Sequence, residues 1–194
     1  MTAVKSLCNN GVMLENGMIK ETGDIETVVS HYLHGDEATE NHILWKSELE
    51  YRKDGFELLE IGIRKTGGQF DDIISQDDEL EYFVRYRLTC DYDKFWLTSH
   101  FKNDQGNAIF STSAGNSIDK THTKGEYIQI CKVPGSFLNW GGYAINLMAF
   151  HDNAQMLCNA QDVISFVISG RNLALGQWMG REPGDITPRF EYTE

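Results

Sequence analysis

Residues 80–88, LEYFVRYRL, alternate without a break: Leu80, Tyr82, Val84, Tyr86 and Leu88 fall on one side, and Glu81, Phe83, Arg85 and Arg87 on the other. A repeat of two is the side-chain repeat of an extended chain, so the stretch reads as a strand with one face buried and one face turned out. Its neighbours carry the same signal. FELLEIGIRK (56–65) places Phe56, Leu58 and Glu60 on one side and Leu59, Ile61 and Ile63 on the other, and predicts a strand from about Leu58 to Arg64. KFWLTSHFKNDQGNAIFSTSAG (94–115) reads as a hairpin, because Asn103-Asp104-Gln105-Gly106-Asn107 supplies turn chemistry between two β-rich runs. Phe95, Leu97 and Phe101 then face inward, and Trp96, Thr98 and His100 face outward. GEYIQICKV (125–133), GGYAINLMAFHD (141–152) and DVISFVIS (162–169) add three more strands. Turn signals recur about every ten residues with no helical period between them, which predicts an all-β antiparallel sandwich.

The upstream stretch reads differently. Asn16-Gly17 suits a two-residue hairpin turn, since both residues tolerate positive φ, and it sets Leu14 opposite Ile19. Gly23 is expected to break the second strand, with Asp24 capping a helix on which Ile25, Val28, Val29, Tyr32 and Leu33 recur. DEATENHILWKSELE (36–50) has acids at both ends around an apolar island and reads as a linker whose Trp45 docks on the next domain. The expected organisation is therefore residues 1–35 as a small α+β segment, 36–50 as a linker and 51–194 as the sandwich.

Composition narrows the function. With 17 basic and 29 acidic residues among 194, the formal net charge of −12 disfavours phosphate-backbone contacts, so no nucleic-acid partner is expected. No apolar run reaches membrane-spanning length, and no basic-then-apolar leader opens the chain. Cys8, Cys90, Cys131 and Cys158 are widely spaced and read as reduced thiols of a cytoplasmic protein.

Catalytic chemistry finds no foothold either. GxxxxGK[ST] is missing, and with it the backbone cradle and lysine that hold nucleotide phosphates. Asp71-Asp72 and Asp77-Asp78-Glu79 lack the alternate-position pattern of a calcium loop and read as acidic turns, and Asp91, Asp93 and Lys94 as another turn. No carboxylate pair can be given the opposed roles of a glycosidase, and there is no GxSxG. His31, His34, His42, His100, His122 and His151 show neither HxH nor HExxH spacing. The expectation is a non-enzyme with no cofactor and no metal.

Two segments carry a family resemblance. LCNNGVMLENGMIKETGDIETVVSHYL (7–33) resembles the last segment of the nucleotide-binding domain of ABC transporters, in which the catalytic switch histidine lies just upstream. No such histidine precedes it here, so the chain is expected to be a piece of a larger subunit, and the apolar Val12, Leu14, Ile19, Val28, Val29 and Tyr32 are expected to lack their usual cover. Further on, Pro134, Leu138, Gly142 and Tyr143, followed by Gly184, Pro188, Phe190 and Tyr192, look like the C-terminal domain of the ATP-binding subunit of O-antigen polysaccharide exporters, the Wzt family. The resemblance implies an immunoglobulin-like carbohydrate-binding sandwich behind a remnant of the ATPase domain. It implies recognition of the completed, end-modified O-polysaccharide for export across the inner membrane, with the membrane permease engaged through the parent ATPase domain. Location at the cytoplasmic face of the bacterial inner membrane follows, as does a homodimer in which the last strand can cross to its partner. Contact residues in that family vary with the polysaccharide, so none is carried over by motif.

The candidate binding residues come from periodicity instead. If the apolar rows point inward, then Phe83, Arg85, Arg87, Trp96, Thr98 and His100 point outward, and one sheet can present all six. Asn146 joins them if Tyr143, Ile145 and Leu147 are buried. Arginines could pair with an anionic cap, Trp96 could stack on a sugar ring, and His100 and Asn146 could fix its orientation. The competing reading is a structural domain that dimerises the ATPase subunit without binding glycan.

Overall fold

The computed structural model describes residues 7–25, 28, 40–46, 50–113, 121–152, 154–171 and 180–188. The chain divides into two compact units, Met1–Thr39 with Asn172–Pro183, and Glu40–Arg171 with Gly184–Glu194.

In the first unit, β1 (Asn10–Glu15) and β2 (Met18–Asp24) form an antiparallel hairpin. Its turn is Asn16-Gly17 with φ of 52° and 80°, the left-handed pair that matches strand twist, and Leu14 lies opposite Ile19 as the sequence suggested. Gly23 does not break the strand. It pairs with Gly11, and helical backbone begins only at Ile25. Ile25 and Val28 are buried, whereas Val12, Leu14, Met18 and Ile19 are exposed. Val29, Tyr32, Leu33 and most of the expected helix lie outside the described residues.

The second unit is a β-sandwich of two five-stranded sheets. Sheet one contains β3 (His42–Leu44), β4 (Arg52–Lys53), β5 (Phe56–Lys65), β7 (Leu80–Leu88) and β10 (Gly125–Val133), in the order β10-β7-β5-β3 with β4 also on β5. Sheet two contains β6 (Ile74–Ser75), β8 (Phe95–Asn103), β9 (Ala108–Ser113), β11 (Gly141–His151) and β12 (Gln155–Ser169), in the order β6-β12-β11-β8-β9. All pairings are antiparallel except β6 with β12. β3 falls inside the stretch read as linker. Ile43 pairs with Ile61, and the backbone N–H of Trp45 reaches Leu59, so this short segment is part of the sandwich.

One apolar core fills the space between the sheets, with Leu80, Tyr82, Val84, Tyr86 and Leu88 from β7 facing Phe95, Leu97 and Phe101 from β8. Tyr82 and Ser99 join their hydroxyls across it at 2.7 Å, a polar pair that is satisfied within an otherwise apolar layer. Strict alternation fails on β5. A bulge between Leu58 and Glu60 changes the parity, so Phe56 and Leu58 before it, and Ile61 and Ile63 after it, all lie in the core. Two apolar sets that the simple pattern assigns to opposite faces thereby share one. The C-terminal segment meets the sandwich through an Ile186–Leu138 bridge, and residues 189–194, expected to complete an exchanged strand, lie outside the described residues.

Candidate functional site

The seven candidate residues do not share one sheet. Phe83, Arg85 and Arg87 stand on β7 of sheet one, and Trp96, Thr98, His100 and Asn146 stand on β8 and β11 of sheet two. Periodicity assigned the outward faces of β7 and β8 correctly. It could not say which strands are neighbours, because hydrogen-bonded partners here are as distant in sequence as β8 and β11.

The arginines on sheet one are committed to carboxylates. Arg85 Nε donates to Glu60 at 2.8 Å, and the same carboxylate lies 2.8 Å from His42 Nε2. Arg87 donates to Glu57 at 3.1 Å and to Glu126 at 2.5 Å. Glu126 is held below its ordinary value chiefly by that hydrogen bond from Arg87, reinforced by its charge. Beside this network, Phe70 stacks on His42 at 3.8 Å and nearly parallel (4°), with Phe83 at 5.8 Å and the Arg64 guanidinium 5.2 Å above its ring. The face is cross-linked by its own charges, so its arginines would have to break ion pairs before meeting an anionic ligand.

Sheet two presents a different surface, which register arranges in four rows. Met156, Phe150 and Trp96 form the first, across β12, β11 and β8. The Phe150 and Trp96 rings stack at 5.6 Å and 20°. Asn159, Met148, Thr98 and Ser113 form the second row, and Asn146, His100 and Ser111 the third. In the last row Ser165, Ala144 and Lys102 are aligned, and Lys102 Nζ holds both Asp162 oxygens at 2.7 and 2.9 Å. An apolar aromatic shelf thus borders a field of amides, hydroxyls and one imidazole, with its lysine neutralised. Stacking faces beside neutral donors and acceptors are what a sugar ring with its hydroxyls requires.

Asn146 has a second task. Three β12 residues, Gln161, Asp162 and Val163, stand opposite it in a bulge between the Ile145–Ile164 and Leu147–Ala160 pairs. Asp162 takes a left-handed φ of 47° there. The Asn146 side chain donates to Gln161 Oε1 at 2.6 Å and accepts the Asp162 N–H at 2.7 Å, and Gln161 in turn donates to Asn159. Asn146 is 8% exposed, less open than the outward position alone implies, because the bulge folds over it. Sequence reasoning missed Phe150, Asn159 and Gln161. Phe150 was legible as an outward position of GYAINLMAFHD, but its stacking on Trp96 depends on the β8–β11 register. Asn159 and Gln161 belong to a part of β12 that the sequence left unassigned.

The acidic clusters serve the turns that hold the sandwich ends. Asp72 accepts the Gln69 N–H, Asp78 accepts the Ser75 N–H, and Asp77 accepts the Ser136 hydroxyl and pairs with Arg171. Cys158 is buried, and desolvation pushes its thiol up to about 11, the opposite of an activated nucleophile.

No family model and no curated protein sequence matches the chain. Among solved structures it is similar to a crystal structure of the C-terminal domain of Wzt, at 14% identity and a TM-score of 0.59, covering 80% of this chain and 94% of that one. At that identity the likeness is one of fold, and it agrees with the β-sandwich expected from the sequence.

Proposed function

We propose that the sandwich is a carbohydrate-recognition module of an ABC polysaccharide exporter, binding the finished O-polysaccharide non-catalytically on the outward face of sheet two. The observation that carries this reading is the Trp96–Phe150 shelf beside Thr98, His100, Asn159 and Gln161, on a face where Lys102 is already paired with Asp162. The Wzt-like fold and the ABC-transporter-like N-terminal string supply the setting, a cytoplasmic ATPase subunit that meets a membrane permease. On this reading sheet one keeps the sandwich rigid and takes no part in sugar contact.

Isothermal titration of the chain with authentic O-polysaccharide tests it. Heat of binding that is lost in Trp96→Ala, with folding intact, supports the proposal. No heat with authentic polymer, or full affinity in the variant, rejects this face as the site and leaves a structural domain as the better account.

A further inference from the structure

Among the described residues β10 is an edge of sheet one, and apart from the charges of Glu126 and Lys132 near its ends it carries none of the usual protections of an edge. It runs nine residues in unbroken register with β7, without proline or bulge. Ile128 and Ile130 on its outward face are 62% and 60% exposed. Among the described residues, β7 is its only strand neighbour.

The rows crossing sheet one show what would fit there. At one end of β10 the cross-strand row is Glu57, Arg87, Glu126, and at the other it is Arg64, Glu81, Lys132. The first alternates minus, plus, minus; the second alternates plus, minus, plus. Between them lie the rows Glu60, Arg85, Ile128 and Gly62, Phe83, Ile130. The geometry points to a second copy of this chain, paired antiparallel through β10 about a two-fold axis at Gln129. In that register Glu126 faces Lys132 of the second copy, Ile128 faces Ile130 of the second copy, and each charged row continues its alternation across the junction. The two exposed isoleucines of each copy cover each other, and the two five-stranded sheets become one. Half-buried Tyr127, Gln129 and Cys131 on the inner side of β10 gain cover by the same step. The pairing uses none of residues 184–194 and is independent of the glycan face on sheet two.

Sedimentation velocity on the chain across a concentration series tests this, because edge pairing is reversible. The unaltered chain is expected to dimerise, and Ile128→Asp/Ile130→Asp to weaken the dimer by at least about tenfold while keeping the same circular dichroism, since both side chains are exposed. Register is tested by charge. Glu126→Lys alone and Lys132→Glu alone each set like charges at both ends of the junction and weaken self-association. An equimolar mixture of these two variants places unlike charges at both ends and restores a heterodimer. A chain that stays monomeric throughout, a dimer indifferent to the isoleucine substitutions, or a mixture no tighter than its components would each overturn the proposal.

Discussion

Asn146 accepts the backbone N–H of Asp162 at 2.7 Å, so a side chain on β11 stands in for the strand pairing that β12 gives up over its bulge. Removing that acceptor takes away the protein partner of the Asp162 N–H in a part-buried bond and opens the nearly buried Asn146 position. Asn146→Ala should therefore lower the unfolding free energy by about 1–3 kcal/mol, read from urea denaturation. Asn146→Asp, which keeps an acceptor, should lose less. An alanine variant as stable as the parent would show that the bulge holds itself.

The two outward faces should separate in a binding assay. His100→Ala on sheet two is expected to weaken polysaccharide affinity by about 1–3 kcal/mol. Arg85→Ala on sheet one should leave affinity unchanged and instead cost stability, on the order of 1–2 kcal/mol, because the half-buried Glu60 loses its 2.8 Å donor. Affinity lost in Arg85→Ala with stability retained would move the site to sheet one.

Deleting Leu59 should abolish folding. Without the bulge residue, β5 returns to strict alternation, and one of its two apolar sets, Phe56 with Leu58 or Ile61 with Ile63, must turn to solvent. Near-ultraviolet circular dichroism and the loss of a cooperative melt would report it. A folded deletion variant would mean that the β5–β7 register can slip without harm.

Asp152 gives a pH signature. It lies 3.1 Å from the His151 ring nitrogen and accepts the Lys94 N–H at 3.2 Å, and these contacts, the histidine first, hold its carboxyl below the ordinary 3.8. A carboxylate depressed in the folded state contributes stability that is present above the unfolded value and lost as pH falls through the folded one. Asp152→Asn should flatten the stability profile below about pH 4. An unaltered acid limb in the variant would assign that limb to other carboxylates.

The cysteines should differ in alkylation. Cys8 and Cys90 are exposed, whereas Cys158 is buried with its thiol pushed up to about 11, so at pH 8 iodoacetamide should label the first two and spare Cys158 until the chain unfolds. Peptide mass spectrometry reads the pattern directly. Prompt labelling of Cys158 in the native protein would show that β12 opens readily.

How much of this was legible in the sequence depended on whether the information was local. The alternation of LEYFVRYRL and of FWLTSHF fixes which side chains face in, and both strands obey it, because a half-buried strand leaves no other solution. The Asn16-Gly17 turn was legible for the same reason, since positive φ at two adjacent residues is a demand that few pairs meet. Long-range pairing was not. Nothing in Trp96 announces that Phe150 is its neighbour, and nothing in Arg85 announces that it faces away from Trp96, because sheet order is settled by the whole core. The bulges at Leu59 and Asp162 were hidden too: the one extra residue at Leu59 shifts parity, the two extra residues around Asp162 leave it unchanged, and neither leaves a residue type that marks it. Asn146 shows the cost of that: its position was read correctly, but its burial under the β12 bulge was not.

Under the proposed function, that bulge also bears on how such a module could change its taste in ligands. Gln161 and Asp162 belong to surplus chain, anchored from outside by Asn146 and Lys102 rather than by the pairs on either side. Residues could be gained, lost or exchanged there while Ile145–Ile164 and Leu147–Ala160 stay closed beneath them. A lineage could therefore redraw one border of the outward surface by small insertions, without any change to the layer that keeps the protein folded.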